Sequence, residues 1–299
     1  MHSNHFDSTP WNEFKFRDDD IIIGTYAKSG TTWMQQIVCH LLFNGEEHHH
    51  VGDLSPWLDL RVPPTPVKLE ALEAQTHRRF VKTHLPVDAL VYSHKAKYIY
   101  IARDGRDVVW SHYNHHLNAN ETYYAALNGP GLVGPPMEPP CDDIVEYYRT
   151  WLEKDGYPLW SQFENVKSWW DIRDLPNLML IHFNNLKNDL PGEMRRVAEF
   201  LEIPIDEDKW DSIVEHCTFD YMKNHAEDSA PLHGAMWKGG AKTFIHKGTN
   251  GRWQNVLSAE DAKRYEDMAV ERLGEECAHW LLTGEMKQSA SDPVDLQAS

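Results

Sequence analysis

The sequence lacks the patterns that mark several common protein classes. Its 299 residues contain no apolar run of the ~18 residues that a membrane-spanning helix needs. The first residues show neither the basic nor the apolar region of a signal peptide. The 4 cysteines lie far apart without a CxxC pair, which excludes a disulfide scaffold and a cysteine-based zinc module. We therefore predict a cytoplasmic protein without a membrane span.

Positive charge is also scarce. The chain has 29 lysines and arginines against 46 acidic residues, and its net charge is −17 with histidine neutral. Phosphate backbones are bound by clustered Lys and Arg, so we expect no nucleic-acid partner. Any anionic ligand must be held by a focused local site. Histidine is frequent, at 18 residues, but no HExxH pattern occurs, and we predict no metal site.

The chain does contain an alternation of short apolar runs and helical patterns. The runs that read as buried strands are Ile21–Ile23, Phe80–Val81, Tyr98–Ala102 and Leu178–Ile181. Such alternation predicts an α/β fold with a central parallel sheet flanked by helices. We predict a single domain over residues 1–299 with its core at about 20–285. Residues 1–19 are expected to be irregular, and a disordered tail is expected from about Gln288.

The loop from Gly24 to Trp33 carries the first chemical signal. A loop of small residues between a strand and a helix presents backbone N–H groups and the positive end of the helix dipole, which suits phosphate. A Walker A loop has its lysine directly after the second glycine, whereas here Lys28 precedes Gly30 by two residues. This difference argues against a Mg²⁺-dependent nucleoside triphosphatase. A plain strand–turn–helix with N-capping Ser and Thr is the alternative.

Lys28–Trp33 resembles the 5′-phosphosulfate loop of the cytosolic-type sulfotransferases. These enzymes use 3′-phosphoadenosine 5′-phosphosulfate (PAPS). Four further segments resemble the family's catalytic-histidine segment, 3′-phosphate segment, adenine-contacting stretch and C-terminal loop, in that order: Lys82–Pro86, Tyr100–Ser111, His216–Met222 and Lys247–Trp253. The resemblance extends from about residue 20 to 255 and implies a P-loop-like nucleotide-binding architecture.

The resemblance also implies catalytic roles, and elementary chemistry agrees with them. The bridging oxygen that leaves in sulfuryl transfer gains negative charge, and the resemblance places Lys28 beside it. The acceptor hydroxyl must lose a proton, and His84 matches the family's general base, with an ordinary pKa of ~6.5 that suits this role. Lys82 would help to hold the sulfonate oxygens.

The remaining matches concern cofactor binding. For the 5′-phosphate, the resemblance implies Lys28, Ser29, Gly30, Thr31 and Thr32. For the 3′-phosphate, it implies Arg103, Ser111, His246, Lys247 and Gly248. For adenine, it implies Trp33, Phe183, Thr218, Phe219 and Met222. Plain core packing is the alternative for the two aromatic residues expected to stack on adenine, Trp33 and Phe219.

The sequence departs from the family at several of these positions. Ala27 stands where a proline is usual, His246 where an arginine is common, and Phe183 where a tyrosine contacts adenine. Asn184 and Asn185 replace the acidic pair that commonly follows that tyrosine. The family's dimer motif is not matched, so no oligomeric state is predicted.

The function that the resemblance implies is transfer of a sulfuryl group to a hydroxyl of a small alcohol or phenol, without a metal. One alternative is a nucleotide or adenylylsulfate kinase, against which the displaced lysine argues. Another is an inactive nucleotide-binding module, against which Lys28 and His84 argue. Expected acceptor-pocket segments are the neighbourhood of Trp57, Tyr113–Leu117 and the Pro/Gly-rich loop 128–140, which we predict to be a lid.

Overall fold

A computed structural model describes residues 1–3, 5–47 and 49–287. Its sheet is four-stranded and parallel, in the order β2-β1-β3-β4. The strands are β1 (Ile21–Thr25), β2 (Phe80–Thr83), β3 (Lys97–Ala102) and β4 (Leu178–His182). The predicted α/β class with a central parallel sheet is confirmed.

Strand β1 lies inside the sheet, between β2 and β3. Ile22 is in register with Val81 on one side and with Tyr98 on the other. Ile22 packs in one hydrophobic cluster, whereas Ile21 and Ile23 pack in a second cluster. Every residue of β1 is buried because both faces of the sheet are covered, which explains its continuous apolar run.

Helices cover the sheet and build its rim. They are α1 (Pro10–Glu13), α2 (Thr31–Leu42), α3 (Val51–Leu54), α4 (Thr65–Ala74), α5 (Gly105–Asn118), α6 (Glu121–Leu127), α7 (Ile144–Glu153), α8 (Gln162–Trp170), α9 (Phe183–Asn188), α10 (Leu190–Leu201), α11 (Trp210–His216), α12 (Phe219–Asn224), α13 (Ala226–Ser229), α14 (Ala241–Phe244), α15 (Ala259–Leu273) and α16 (Glu275–Thr283), with 3₁₀ turns at Val87–Ala89 and Pro231–Gly234. Among the described residues, no helix combines the length and apolar character that crossing a bilayer requires.

The N-terminal segment is more ordered than the sequence predicted. Phe6, Trp11 and Phe14 are buried in the core, and the indole N–H of Trp11 donates to Asp59 Oδ1 at 3.0 Å. Apart from α1, the described residues of this segment form no helix or strand, as predicted, but its aromatic side chains are large enough to hold it against the core. The predicted disordered tail lies outside the described residues.

The 128–140 loop forms neither helix nor strand, as its prolines and glycines predicted. The Asn128 amide closes it: Nδ2 donates to the Met137 carbonyl at 2.9 Å, and Met137 N–H donates to Asn128 Oδ1 at 2.7 Å. Arg61 donates to the Pro130 carbonyl at 2.6 Å. The loop follows α6, which separates it from α5, the helix that carries Ser111.

Candidate active site

The loop between β1 and α2 has a backbone conformation that leaves donors free. Lys28 and Gly30 have positive φ angles of 68° and 109°. A Cβ at Gly30 would lie 2.9 Å from a ring carbon of Phe183, so glycine is required for both its φ and its closeness. Gly30 offers no side-chain cap to α2, and the buried Ser29 Oγ has no hydrogen-bond partner in the described chain. The predicted residues 29–32 thus form a site with unused donors, which fits a phosphate.

Lys28 carries positive charge toward this loop without an acidic partner. Its Nζ lies 3.1 Å from His115 Nδ1 and 4.9 Å from the centre of the Phe244 ring. Burial, and then the nearby charges of Lys82 and Arg103, together lower the pKa of Lys28 to about 7. An anion bound here would supply the missing negative charge.

The ring of His84 is held in one tautomer. Its Nδ1 lies 2.9 Å from the Thr25 carbonyl oxygen and 2.9 Å from Thr25 Oγ1, which in turn lies 2.7 Å from Thr31 Oγ1. A carbonyl can only accept, so Nδ1 carries the proton and Nε2 is left as the basic nitrogen. Burial, followed by the charge of Lys82, lowers the pKa of His84 well below its ordinary value. The imidazole is therefore neutral at pH 7.

Asp59, which sequence reasoning missed, organises the wall beside His84. Its carboxylate accepts from the indole N–H of Trp11 at 3.0 Å and of Trp57 at 2.6 Å. The Trp57 ring stands edge-on to His84 at 4.5 Å, and Lys82 Nζ lies 5.3 Å from the Trp57 ring centre. Burial lowers the pKa of Lys82 to about 8, and the charge of Asp59 opposes this shift. No sequence motif marks Asp59.

Arg103 joins the phosphate loop to the C-terminal loop. Its Nε and Nη2 donate to Asn250 Oδ1 at 3.0 and 2.6 Å, and its Nη1 donates to the Lys28 carbonyl at 3.2 Å. The guanidinium also lies 4.2 Å from the centre of the Phe183 ring. Burial lowers the pKa of Arg103 to about 10. Its acceptors are neutral, so a phosphate can compete with them. Asn250 lies in a predicted segment but was not singled out.

Arg106 is bound within the protein. It pairs with Asp104 at 2.6 Å and with Glu266 at 2.5 Å. Asp107, which follows Arg106 in the same helix, instead accepts from the Gly251 backbone N–H at 2.7 Å. Asp104 is paired with Arg106, and Asp107 accepts from a backbone N–H, so neither carboxylate forms an ion pair with Arg103. The guanidinium of Arg103 is therefore available to a ligand.

Of the other residues predicted for the 3′-phosphate, Lys247 and Gly248 directly precede Thr249 and Asn250, which both accept from Arg103. Ser111 is half-buried on α5 and Lys247 is exposed, and in the described ranges neither side chain has a partner. Lys187 Nζ donates to the Gly248 carbonyl at 2.9 Å, a contact that no sequence signal indicated. Burial, then the charge of Arg252, lowers the pKa of His246 to about 4. His246 is therefore neutral at pH 7 and does not supply the charge of the arginine it replaces.

Three of the predicted adenine residues, Trp33, Phe219 and Met222, meet in one apolar cluster. Trp33 and Phe219 are only partly buried, and both pack against the cluster that contains Met222. The Trp33 indole N–H donates to the Cys217 carbonyl at 2.7 Å, which fixes the ring. The Thr218 hydroxyl caps α12 by accepting from a backbone N–H, so it is already used by the protein. The rings of Trp33 and Phe219 are left with accessible surface for a base.

The departures at Asn184 and Asn185 have structural partners. Asn184 Oδ1 accepts from Asn250, the same residue that holds Arg103. Asn185 Nδ2 donates to the Gly284 carbonyl at 3.1 Å, beyond the end of α16. These amides therefore connect the 3′-phosphate segment to the C-terminal helix without adding negative charge.

A group of histidines lies around Tyr147, close enough to Lys28 for its charge to affect them. Tyr147 Oη is 2.8 Å from His112 Nδ1 and 3.2 Å from His116 Nδ1. His116 Nε2 and both ring nitrogens of His5 are buried without a hydrogen-bond partner among the residues described. Burial lowers the pKa of His5 to about 4. His5 was missed because it lies in the segment expected to be irregular.

A possible metal cluster outside this site does not have metal geometry. Ligand atoms of His50, Asp53 and His233 lie within 4.8 Å of one another. The two imidazole rings, however, stack with centres 3.8 Å apart and planes at 26°. Their lone pairs lie in the ring planes and cannot converge on one ion from this arrangement. We assign no metal to these residues.

The fold and site define a nucleotide-binding α/β protein whose phosphate loop is of the P-loop-like type. Residues 18–276 match the sulfotransferase domain family. The chain therefore belongs to this family and is a PAPS-dependent sulfotransferase, which removes the kinase alternative.

Individual relatives agree. The chain is 32% identical over 285 residues to a glycolipid sulfotransferase of Mycobacterium bovis, covering 87% of this chain and 86% of that protein. It is 32% identical over 271 residues to sulfotransferase 1B1 of Mus musculus, covering 87% and 85%. The crystal structure of mouse sulfotransferase SULT7A1 complexed with 3′-phosphoadenosine 5′-phosphate (PAP) superposes with a TM-score of 0.71 at 21% identity, covering 92% of each chain. This likeness shows a shared fold.

Proposed function

We propose that this sulfotransferase modifies a hydroxyl of a small alcohol or phenol, with His84 as the general base. The observation that carries this proposal is the contact of His84 Nδ1 with the Thr25 carbonyl at 2.9 Å. Because that contact fixes the proton on Nδ1, the Nε2 lone pair is available to accept the hydroxyl proton. PAPS supplies the activated sulfuryl group when it is bound.

The charges around His84 favour this role. Lys82 and Lys28 both help to lower the pKa of His84, which keeps the ring neutral before the reaction. An anion bound beside the two lysines would offset their charge and raise the pKa of His84 again. The ring can then hold the proton that it takes from the acceptor.

The other predicted residues take complementary tasks. Lys28 lies beside the phosphate loop and stabilises negative charge that develops on the leaving oxygen. Lys82, at the end of β2, holds sulfonate oxygens. Residues 29–32 bind the 5′-phosphate through free donors, as inferred above. No carboxylate cluster in the described site calls for a metal, and we propose that none is required.

The 3′-phosphate and adenine assignments complete the cofactor site. Arg103 has the forked donors that a phosphate prefers, and Ser111 and Lys247 have side chains free to join it. Trp33 and Phe219 offer partly buried rings to the base. Arg103 donates to both the Lys28 carbonyl and Asn250, so it joins the phosphate loop to the C-terminal loop, which supports its assignment.

The acceptor would contact both aromatic rings and imidazoles. The His115 ring lies 5.0 Å from Trp237 and 5.6 Å from Tyr123, next to Lys28. Such a wall accommodates an apolar body and hydrogen-bonds a polar part. The hydroxyl of a glycolipid, the acceptor named for the Mycobacterium bovis relative, belongs to the proposed class.

We also propose that the loop 128–140 is a lid over the acceptor pocket. The whole chain, residues 1–299, is proposed to form a single domain.

The test is a screen with ³⁵S-labelled PAPS against alcohols, phenols and glycolipids, each with and without EDTA. We expect acceptor-dependent transfer of label that EDTA does not reduce. The His84→Ala variant is the control for label transfer without the base. Tight PAP binding with no labelled product from any acceptor, or transfer that EDTA abolishes, would contradict the proposal.

A further inference from the structure

The ammonium of Lys28 donates a hydrogen bond to a neutral imidazole. Its Nζ is 3.1 Å from His115 Nδ1, and in the part of the chain that the structure describes it forms no ion pair. The two residues are 87 positions apart in the chain. Lys28 extends from the phosphate loop, and His115 lies near the end of α5, so this one contact bridges the cofactor side and the acceptor side.

The His115 ring is held by packing. Trp237, Tyr123 and Phe244 surround it with ring centres 5.0, 5.6 and 5.9 Å away. The Phe244 ring also lies 4.9 Å from Lys28 Nζ. These three rings form an aromatic cage that leaves His115 Nδ1 directed at Lys28. The position of Nδ1 therefore does not depend on other hydrogen bonds of the His115 ring.

A neutral acceptor has a specific advantage here. A carboxylate at the position of Nδ1 would form a buried ion pair with Lys28, and an incoming anion would have to break it. An imidazole nitrogen forms a single hydrogen bond, which is weaker and leaves the positive charge of Lys28 for the ligand. The contact can therefore orient the lysine without neutralising it.

We propose that His115 is a positioning residue that holds the Lys28 ammonium in line for the reacting group of the cofactor. The inference rests on the proposed sulfuryl-transfer function and adds to it a residue outside the five matched segments. His115 touches Lys28 and acts through it. Its neutral imidazole serves as the hydrogen-bond acceptor, and its aromatic cage sets the direction.

Two substitutions separate the acceptor atom from the shape of the ring. His115→Phe keeps an aromatic ring in the cage but removes the acceptor, whereas His115→Asn places an amide oxygen close to the position of Nδ1. We expect kcat to fall about tenfold in His115→Phe, the rate equivalent of one hydrogen bond, with the acceptor KM changed less than about twofold. His115→Asn should recover most of kcat.

The matched control is His94→Phe, a change of the same chemistry at an exposed histidine. It should leave kcat and KM unchanged. A His115→Phe enzyme with kcat within twofold of the parent would overturn the proposal. So would a His115→Asn enzyme as slow as His115→Phe, because shape and not the acceptor atom would then matter.

A second measurement does not depend on activity. Lys28 can be labelled with acetic anhydride at pH 7.5 and the modified peptide quantified by mass spectrometry. Without the hydrogen-bond acceptor at Nδ1, the charged form of Lys28 is less stable and the reactive neutral amine is more populated. Labelling should therefore increase about two- to fivefold in His115→Phe and return toward the parent rate in His115→Asn. Equal labelling of parent and His115→Phe would overturn the proposal.

The other charged and titratable groups around Lys28 also affect how fast it is labelled. These are Lys82, His84, Arg103, His112, His116 and His246. None of them is changed in the variants. If the parent transfers no label to any acceptor, the proposed function fails, but the labelling rates still decide whether His115 holds Lys28.

Discussion

The proposed cofactor side and the proposed acceptor side of this site use different kinds of polar group. Lys28, Lys82 and Arg103 supply positive charge on the cofactor side, and within the described residues none of them is paired with a carboxylate. The acceptor side carries His115 and His116, which burial keeps neutral by lowering their pKa well below the ordinary value. One side therefore recognises an anion by charge, whereas the other offers hydrogen bonds that depend little on charge.

This difference separates two tasks that meet at one reacting atom. Unpaired cations bind any ligand with the right phosphates, and their chemistry need not change with the acceptor. Neutral imidazoles and aromatic rings can be exchanged without disturbing the phosphate site. Substitutions on the two sides should thus have separable effects on the cofactor and on the acceptor.

The largest expected effect comes from His84, where the two sides meet. His84→Ala should lower turnover by ~10²–10⁴, the usual contribution of a positioned base, because the bare Nε2 is lost. PAP should still raise the melting temperature as it does in the parent, since the phosphate contacts remain. Turnover is measured with labelled PAPS and the best acceptor. Normal turnover in this variant would refute the general-base role.

Arg103 tests the charge-based side. Arg103→Ala should weaken PAP binding about 10- to 100-fold, the loss expected for charge-assisted hydrogen bonds to a phosphate. AMP, which lacks the 3′-phosphate, should bind the variant and the parent nearly equally. Calorimetric titration with both nucleotides gives the comparison. An equal loss for AMP and PAP would show that Arg103 acts on the loop and not on the 3′-phosphate.

The loop 128–140 tests the neutral side. Replacing residues 129–139 by a few glycines removes the Met137 anchor and the Arg61 contact, so a lid over the acceptor would be lost. We expect the acceptor KM to rise about three- to tenfold and the PAP affinity to stay within about twofold. Steady-state kinetics measure the first and titration the second. Unchanged acceptor kinetics would show that the loop is only a surface excursion.

The smallest expected effect is the pH dependence of PAP binding. The pKa of Lys28 is lowered to about 7 in the free protein, and a bound phosphate should raise it. The complex then binds more protons than the free protein above pH 7, so PAP affinity should be constant below about pH 7 and fall as the pH rises above it. Calorimetry at pH 8 in buffers of different ionisation enthalpy measures the uptake. Lys28→Met should lose the share of the uptake that belongs to Lys28, and an unchanged uptake would assign the protons to other groups beside the anion, such as Lys82.

The sequence by itself determined the fold class and indicated the residues that we propose for the cofactor side of the site. The strand runs are continuous because both sheet faces are covered, and that pattern is visible without a structure. The phosphate loop is a contiguous stretch whose residues act through local backbone geometry. His84 directly follows a strand, so its place at the sheet edge could be predicted. The burial of the N-terminal segment was not predicted because its aromatic residues have no periodic pattern.

The tertiary structure alone decided the partners of these groups. Asp59 holds Trp11, Asn250 holds Arg103 and His115 holds Lys28, and each pair joins segments that are far apart in the chain. The tautomer of His84 likewise depends on a carbonyl that lies 59 residues away in the chain. These contacts arise where loops from different strands meet at one edge of the sheet. Their geometry is set by side-chain directions and by the left-handed turn at Lys28, which a sequence pattern does not specify.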